Sequence, residues 1–463
     1  MRKVPRMRRD RSDLAQGVME ESELENLWKV ALARGAEAAE AYWLREDLTL
    51  VDIKEGRVEV LSRGQQAGVG LRVFRDRRMG FSFRSHDQQW SPSDLAESSL
   101  AAALQSHPDP YLDLPSAPFL DYPRVEAYDP ALARLDLADR LDFARRMERS
   151  ARAIDPRITK VRHCLYQDSC FSVMISNSRG LKARGEGTKC SASLLCVAEE
   201  EGWSETGWDL QCSSFFSDLE AERIGEQAAE QAVSMLRAKP LPTGRVDAIF
   251  SPAAASEFLE TLAPALMAEA VQKGKSLFAG RRGERVASSV LTLVDDGLLP
   301  HGYRSFPFDD EGWPCQRSIL MEAGVLQDYL YDLHAAAKEG RESTGNARRG
   351  GYQYPPQIAA TNFFILPGKR DQQALVEEMG RGALVLSLMG MHTADPVSGD
   401  FSVGAEGIWI EGGGRHRPFR GVIMAGNIRE WLQAVEEVGS DLRFFGPSGS
   451  PSLLIRGIQV AGS

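Results

Sequence analysis

Two acidic turns and one arginine-bearing loop hold the residues of this sequence best able to do chemistry. Asp295-Asp296-Gly297 and Asp309-Asp310-Glu311-Gly312 crowd carboxylates ahead of a glycine, an arrangement that can hold a hard cation or supply a general base. Aspartate before glycine is also an ordinary turn signal, so a structural role is equally open. Thr344-Gly345-Asn346-Ala347-Arg348-Arg349-Gly350-Gly351 is a polar loop with two guanidinium groups, followed by Pro355-Pro356. Backbone N–H groups and arginine together can grip carboxylates or phosphates. The same arginines can instead be structural, pairing with the acidic turn at 309–311.

Other familiar chemistries lack their residues. A helix-borne zinc pair needs two imidazoles about one turn apart. The seven histidines, His86, His107, His163, His301, His334, His392 and His416, never come within five residues of one another. Cys164, Cys170, Cys190 and Cys196 form two C-x5-C pairs; zinc knuckles use shorter turns, so buried thiols are expected. Neither a G-x-x-x-x-G-K-[ST] phosphate loop nor a G-x-S-x-G nucleophile elbow is present.

Those turns must be held by a sizeable framework. At about 150 residues per domain, 463 residues correspond to roughly three domains or two large ones. With 43% apolar and 26% charged residues, the composition is that of a folded globular protein. A formal net charge of -10 disfavours a nucleic-acid binder held by bulk charge. Arg2, Lys3, Arg6, Arg8, Arg9 and Arg11 make a basic start with no apolar run behind it, so a cytoplasmic location and a mobile tail over residues 1–20 are expected. The longest apolar stretch, residues 383–391, is far short of the roughly 18 residues that cross a bilayer.

Periodicity divides the rest. A helix is predicted from Ser22, with Leu24, Leu27, Trp28, Ala31 and Leu32 at helical spacing before Gly35. Residues 39–85 read as an antiparallel meander, and Ser91-Pro92 as the cap of a helix through Leu104. A proline-rich loop holds Pro108, Pro110, Pro115, Pro118 and Pro123. Helices are then predicted over 135–154 and 218–238, with four strands between them over 161–214. Pro240, Pro242 and Gly244 mark the best domain boundary, giving an N-terminal α/β domain over 21–240 and a β-rich C-terminal domain over 241–463 with short helices near Ser256, Leu333, Asp371 and Ile428. The expected class is α+β.

The loops just described, together with Gly324-Val325-Leu326, Tyr329-Leu330-Tyr331-Asp332, Ser343 and Thr361-Asn362, closely resemble the TldD/PmbA family, also named modulators of DNA gyrase. Val69-Gly70-Leu71-Arg72-Val73 and Gly399-Asp400-Phe401-Ser402 extend the likeness over nearly the whole chain. The family contains TldD-like chains with an H-E-x-x-x-H zinc motif and TldE or PmbA-like chains without it. Aligned on Ser276-Leu277-Phe278-Ala279-Gly280 and Asp295-Asp296-Gly297, that motif falls on Leu259-Glu260-Thr261-Leu262-Ala263-Pro264. Leu259 and Pro264 carry no donor for zinc, and no cysteine follows Cys315 to replace the family's late ligand.

The resemblance therefore implies the TldE/PmbA branch: a subunit with no metal or catalytic residue of its own, zinc residing in a TldD-like partner. It also implies a heterodimer closing a chamber that admits unfolded peptide as an extended strand; a homodimer of the chain alone stays open. Asp309, Asp310, Glu311, Gly312, Thr344, Gly345, Asn346, Arg348, Arg349, Thr361 and Asn362 are then structural, interface-forming or peptide-contacting, and Glu260 is only a helix residue. Two other readings stand beside it. One is a self-sufficient hydrolase using Asp295, Asp296, Asp309, Asp310 or the histidines. The other is a gyrase-associated or nucleic-acid-binding protein touching its partner through the basic tail.

Overall fold

The structure, a computed structural model, describes residues 19–116 and 122–462. The basic tail lies outside them except for Met19 and Glu20, as does Pro118 of the proline-rich loop.

Helix α1 (Glu21–Ala33) buries Leu24, Leu27 and Ala31 along one stripe. Helix α2 (Pro92–Gln105) begins as its sequence dictates: the Asp94 N–H donates to the Ser91 hydroxyl at 3.2 Å, and the Ser91 N–H donates back to the Asp94 carboxylate at 3.1 Å. Helix α3 (Leu137–Ile154) starts two positions later than the apolar periodicity predicts, because the Asp136 side chain caps it by accepting from the Asp139 N–H. Helix α4 (Ala221–Ser234) is shorter than predicted, since Phe216–Asp218 forms a separate 3₁₀ turn ahead of it.

Six antiparallel strands make the first sheet: β1 (Ala38–Lys54), β2 (Arg57–Arg75), β3 (Arg78–Ser85), β4 (Ile158–Asn177), β5 (Lys182–Glu200) and β6 (Trp203–Ser213), in the order β3-β2-β1-β4-β5-β6. Residues 161–214 were expected to hold four strands and hold three. The polar run Gln167–Ser172 stays within β4 because its backbone pairs with β1 on one side and β5 on the other, so nothing forces a turn. Likewise the runs at Val58 and Val69 belong to one strand, β2, which passes through Gly64 still paired with β1.

Alternation sorts this sheet into two faces. Ala39, Ala41, Trp43, Val51 and Ile53 of β1 point toward the helices, packing with α1 and α2 at one end and α3 and α4 at the other. Tyr42 and Leu44 point the opposite way, with Val173, Ile175 and Ala183, and no helix among the described residues packs in their cluster. Phe306, Phe308 and Tyr352, from far along the chain, pack there instead. Gly68 permits that approach, since a Cβ on it would stand 2.3 Å from the Tyr352 ring.

The remaining strands build a two-stranded sheet, in which Ala347–Arg348 pairs with Gln357–Ile358, and two further six-stranded sheets around a shared core. One contains β7 (Gly244–Phe250) between Arg381–Met389 and Leu453–Ala461; the other contains β8 (Leu293–Asp296) between Arg317–Glu322 and Phe363–Ile365. The predicted short helices are Pro252–Glu260, here α5, and Leu333–Lys338, Gln372–Met379 and Ile428–Ala434. Ala268–Gln272 is a helix that the sequence did not signal. The architecture is α+β, as expected. Among the described residues, no helix is long and apolar enough to cross a membrane.

Candidate functional site

Strand β8 carries Asp295 into the interior, where it is 1% exposed. The Asn346 amide and the Thr361 hydroxyl each donate to Asp295 Oδ2 at 2.7 Å, and the Thr361 N–H donates to Oδ1 at 2.7 Å. Burial pushes its carboxyl up to about 6, against the pull of these donors. The Thr344 hydroxyl donates to Asn346 Oδ1 at 2.7 Å, so the amide that holds Asp295 is itself held. Asn362 bonds the Asp296 carbonyl at 2.7 Å and the Ser305 hydroxyl at 2.9 Å. Thr344, Asn346, Thr361 and Asn362 thus close a polar network around β8.

Asp309 is spent on the backbone of its own turn and the next loop. Its carboxylate accepts from the N–H groups of Glu311 and Trp313, both at 2.9 Å, and of Ala347 at 3.0 Å. Burial, with Glu311 beside it, raises its pKa. Gly312 and Gly345 both have positive φ, 77° and 76°. A Cβ on Gly345 would meet the Pro314 carbonyl oxygen at 2.5 Å, so only glycine lets this loop pass under the acidic turn.

The expected pairing of this turn with both arginines is corrected by the structure. Arg349 donates to Glu40 of β1 at 2.5 Å, and Glu40 also accepts from Arg72 of β2 at 3.0 Å. Arg72 reaches Glu311 at 2.8 Å. Asp310 meets Arg349 through backbone contacts, accepting from the Arg349 N–H at 2.7 Å, and accepts from the Tyr42 hydroxyl at 3.2 Å. Arg348 has no ion pair among the described residues: one Nη donates to Cys315 Sγ at 3.3 Å, and its buried Nε has no partner. The two neighbours differ because Arg349 lies against the Tyr42 ring and reaches Glu40 of the sheet, whereas Arg348 reaches only the Cys315 sulfur; both border one cavity.

Leu259 and Pro264, the positions aligned with the zinc motif, do not face each other. Helix α5 ends at Glu260, Leu259 is wholly buried in the core, and Pro264 is exposed at the start of a 3₁₀ turn. Neither side chain has a donor atom, and among the described residues no group of three or more His, Cys, Asp or Glu is placed to hold a metal ion. These residues do not fit zinc. Glu260 is exposed at the end of α5, its carboxyl raised by partial burial and opposed by Ser448 and Arg304. One turn earlier Glu257 accepts from the Leu388 N–H at 2.8 Å, and burial, then Glu260 and Glu406, push it up to about 7.

The remaining candidates are dispersed. His301 contacts Asp218 at 2.8 Å and His334 contacts Asp109 at 2.8 Å, in separate parts of the molecule. Cys164, Cys190 and Cys196 are buried free thiols and Cys170 is half-buried; burial raises the pKa of all four. In the paired register Cys164 opposes Leu194 and Cys170 opposes Thr188, so the strands keep the four apart.

Profiles described as PmbA/TldA metallopeptidase domain 1, central domain and C-terminal domain match residues 39–103, 130–236 and 243–462. This chain belongs to the TldD/PmbA family. The metalloprotease PmbA of Escherichia coli is 26% identical over 415 residues, covering 89% of each chain. A Thermotoga maritima crystal structure named as a modulator of DNA gyrase shares 27% identity with a TM-score of 0.87, over 94% of this chain and 99% of that one. TldE from Thermococcus kodakarensis shares 25% identity with a TM-score of 0.86, over 95% and 99%.

In this TldD/PmbA family member, sequence reasoning found the acidic turn and the arginine loop but missed their partners. Glu40 and Arg72 lie in strand patterns where a charge reads as a solvent-facing position. Lys189, Arg304 and Glu257 likewise carry no motif. An acidic residue within the apolar run of β1 was the one available signal for Glu40.

Proposed function

We propose that this chain is a non-catalytic, TldE/PmbA-type subunit of a cytoplasmic zinc metallopeptidase, pairing with a TldD-like chain that supplies the zinc. The observation that carries this reading is the pair Leu259 and Pro264, one buried and one exposed, neither able to ligate a metal. Glu260 then has no metal-bound water to deprotonate.

The peptide-handling part is supported by the first sheet. Residues 57–66 of β2 are all exposed, and β3 pairs with β2 only from Gly68 onward, so no strand among the described residues pairs with the outer edge of that stretch. Val58, Val60 and Leu61 are exposed on that unpaired edge. A bare strand edge with β-branched residues suits an added extended segment, which main-chain hydrogen bonds would hold with little regard to its sequence.

The test is to mix the tag-free chain with a TldD-like chain carrying the H-E-x-x-x-H motif. One stable heterodimer with zinc only in the partner is expected. No association across a range of concentrations, or about one zinc per chain in this protein alone, would overturn the reading.

A further inference from the structure

A cavity of about 500 Å³ lies between the helix-free face of the first sheet and the loops around residues 304–310 and 348–359. Four cations line it, Lys189 from β5, Arg304, Arg348 and Arg349, together with the carboxylates of Glu46 and Asp310. Lys189, Arg304 and Arg348 make no ion pair among the described residues, whereas Arg349 and the neighbouring Arg72 are paired with buried carboxylates. Lys189 lies over the Phe171 ring at 4.9 Å, Arg304 donates to the Ala360 carbonyl at 3.1 Å, and the buried Nε of Arg348 has no partner.

Nearby carboxylates offset part of this charge but pair with none of Lys189, Arg304 and Arg348: Glu46 acts on Lys189, and Asp310 on Lys189 and Arg348, at longer range. Asp310 already accepts from Tyr42 and the Arg349 backbone, Glu46 from Gln66 at 2.7 Å, and Asp295 from Asn346 and Thr361. Glu260 faces Ser448 and acts on Arg304 only at longer range. Burial lowers the pKa of Lys189, and burial followed by Arg348 lowers that of Arg304, as crowded like charges require. Unpaired, poorly hydrated cations are costly, and an incoming anion relieves that cost. Tyr42, Phe171 and Phe306 supply apolar lining beside them, the Phe171 ring lying under Lys189.

We propose that this cavity binds the C-terminal residue of a peptide, with Arg348, Arg304 and Lys189 around its carboxylate and Tyr42, Phe171 and Phe306 against an apolar side chain. The identity of the ligand as peptide rests on the function proposed above; the anion preference rests on the cavity alone. Pockets of this volume hold ligands of such size.

The test is isothermal titration of the full chain, alone, with an N-acetylated tetrapeptide ending in phenylalanine, as free acid and as C-terminal amide, and with inorganic phosphate. The acid should bind, the amide at least about tenfold more weakly, and Lys189→Met and Arg348→Gln should each weaken the acid by about tenfold or more. If Arg348→Gln fails to fold, Lys189→Met carries the comparison. Equal binding of acid and amide, no binding of either, or phosphate binding as tightly as the acid would overturn the assignment. Because the chain is titrated alone, failure to assemble with a TldD-like chain leaves this result standing, and loss of acid preference leaves assembly untouched.

Discussion

The Arg349 guanidinium donates to the Glu40 carboxylate at 2.5 Å, with both side chains fully buried and 309 positions apart in the sequence. Through Arg72 and Glu311 the pair becomes a chain of alternating charge that ties β1 and β2 to the acidic turn. Buried charges are costly unless paired and hydrogen-bonded, so this chain of ion pairs fixes how the loops dock on the sheet.

Arg349→Met should therefore destabilise the protein by about 3–5 kcal/mol, because Glu40 keeps only Arg72. Arg348→Gln, which breaks no ion pair, should cost no more than about 1 kcal/mol. Urea unfolding of the two variants checks the contrast; equal losses would show that the ion-pair chain is not what holds the loop.

Glu257 makes stability depend on pH. Its pKa rises from 4.5 unfolded to about 7 folded, so the folded state holds the proton more tightly. That contribution is complete below 4.5, and is lost as pH rises through about 7. Glu257→Gln keeps an acceptor for the Leu388 N–H and removes the titration. Its denaturation midpoint should gain on the wild type between pH 5 and 7.5; parallel profiles would count against a raised Glu257.

Gly68→Val should loosen the Tyr352 loop. The new Cβ would stand 2.3 Å from the ring and 2.6 Å from the Arg84 carbonyl oxygen, so one element must move. A loss of about 1–3 kcal/mol is expected, with faster amide hydrogen exchange over residues 350–356. Unchanged exchange there would mean that Tyr352 accommodates the side chain.

Restoring histidines at the aligned positions should not restore zinc. In Leu259→His/Pro264→His one imidazole would enter the core and the other would face solvent, so the two cannot share an ion in this backbone. Elemental analysis should find well under one zinc per chain. A ratio near one would mean that residues 259–264 refold as a continuous helix.

The sequence by itself determined what is set locally or by residue type. Helix α2 was legible because Ser91, Pro92 and Asp94 satisfy one another within a single turn, and the β1–β2 meander because its apolar residues alternate. The missing zinc donors were legible because no fold can make a leucine or a proline ligate a metal. Only the tertiary structure decided which cations are paired. Glu40, Arg72 and Arg349 look like ordinary charges until the sheet and the loop come together, and Arg348 looks like Arg349 until one meets Glu40 and the other only the Cys315 sulfur. Burial and long-range contact set the chemistry of an ionisable group, and neither is written in its neighbours along the chain.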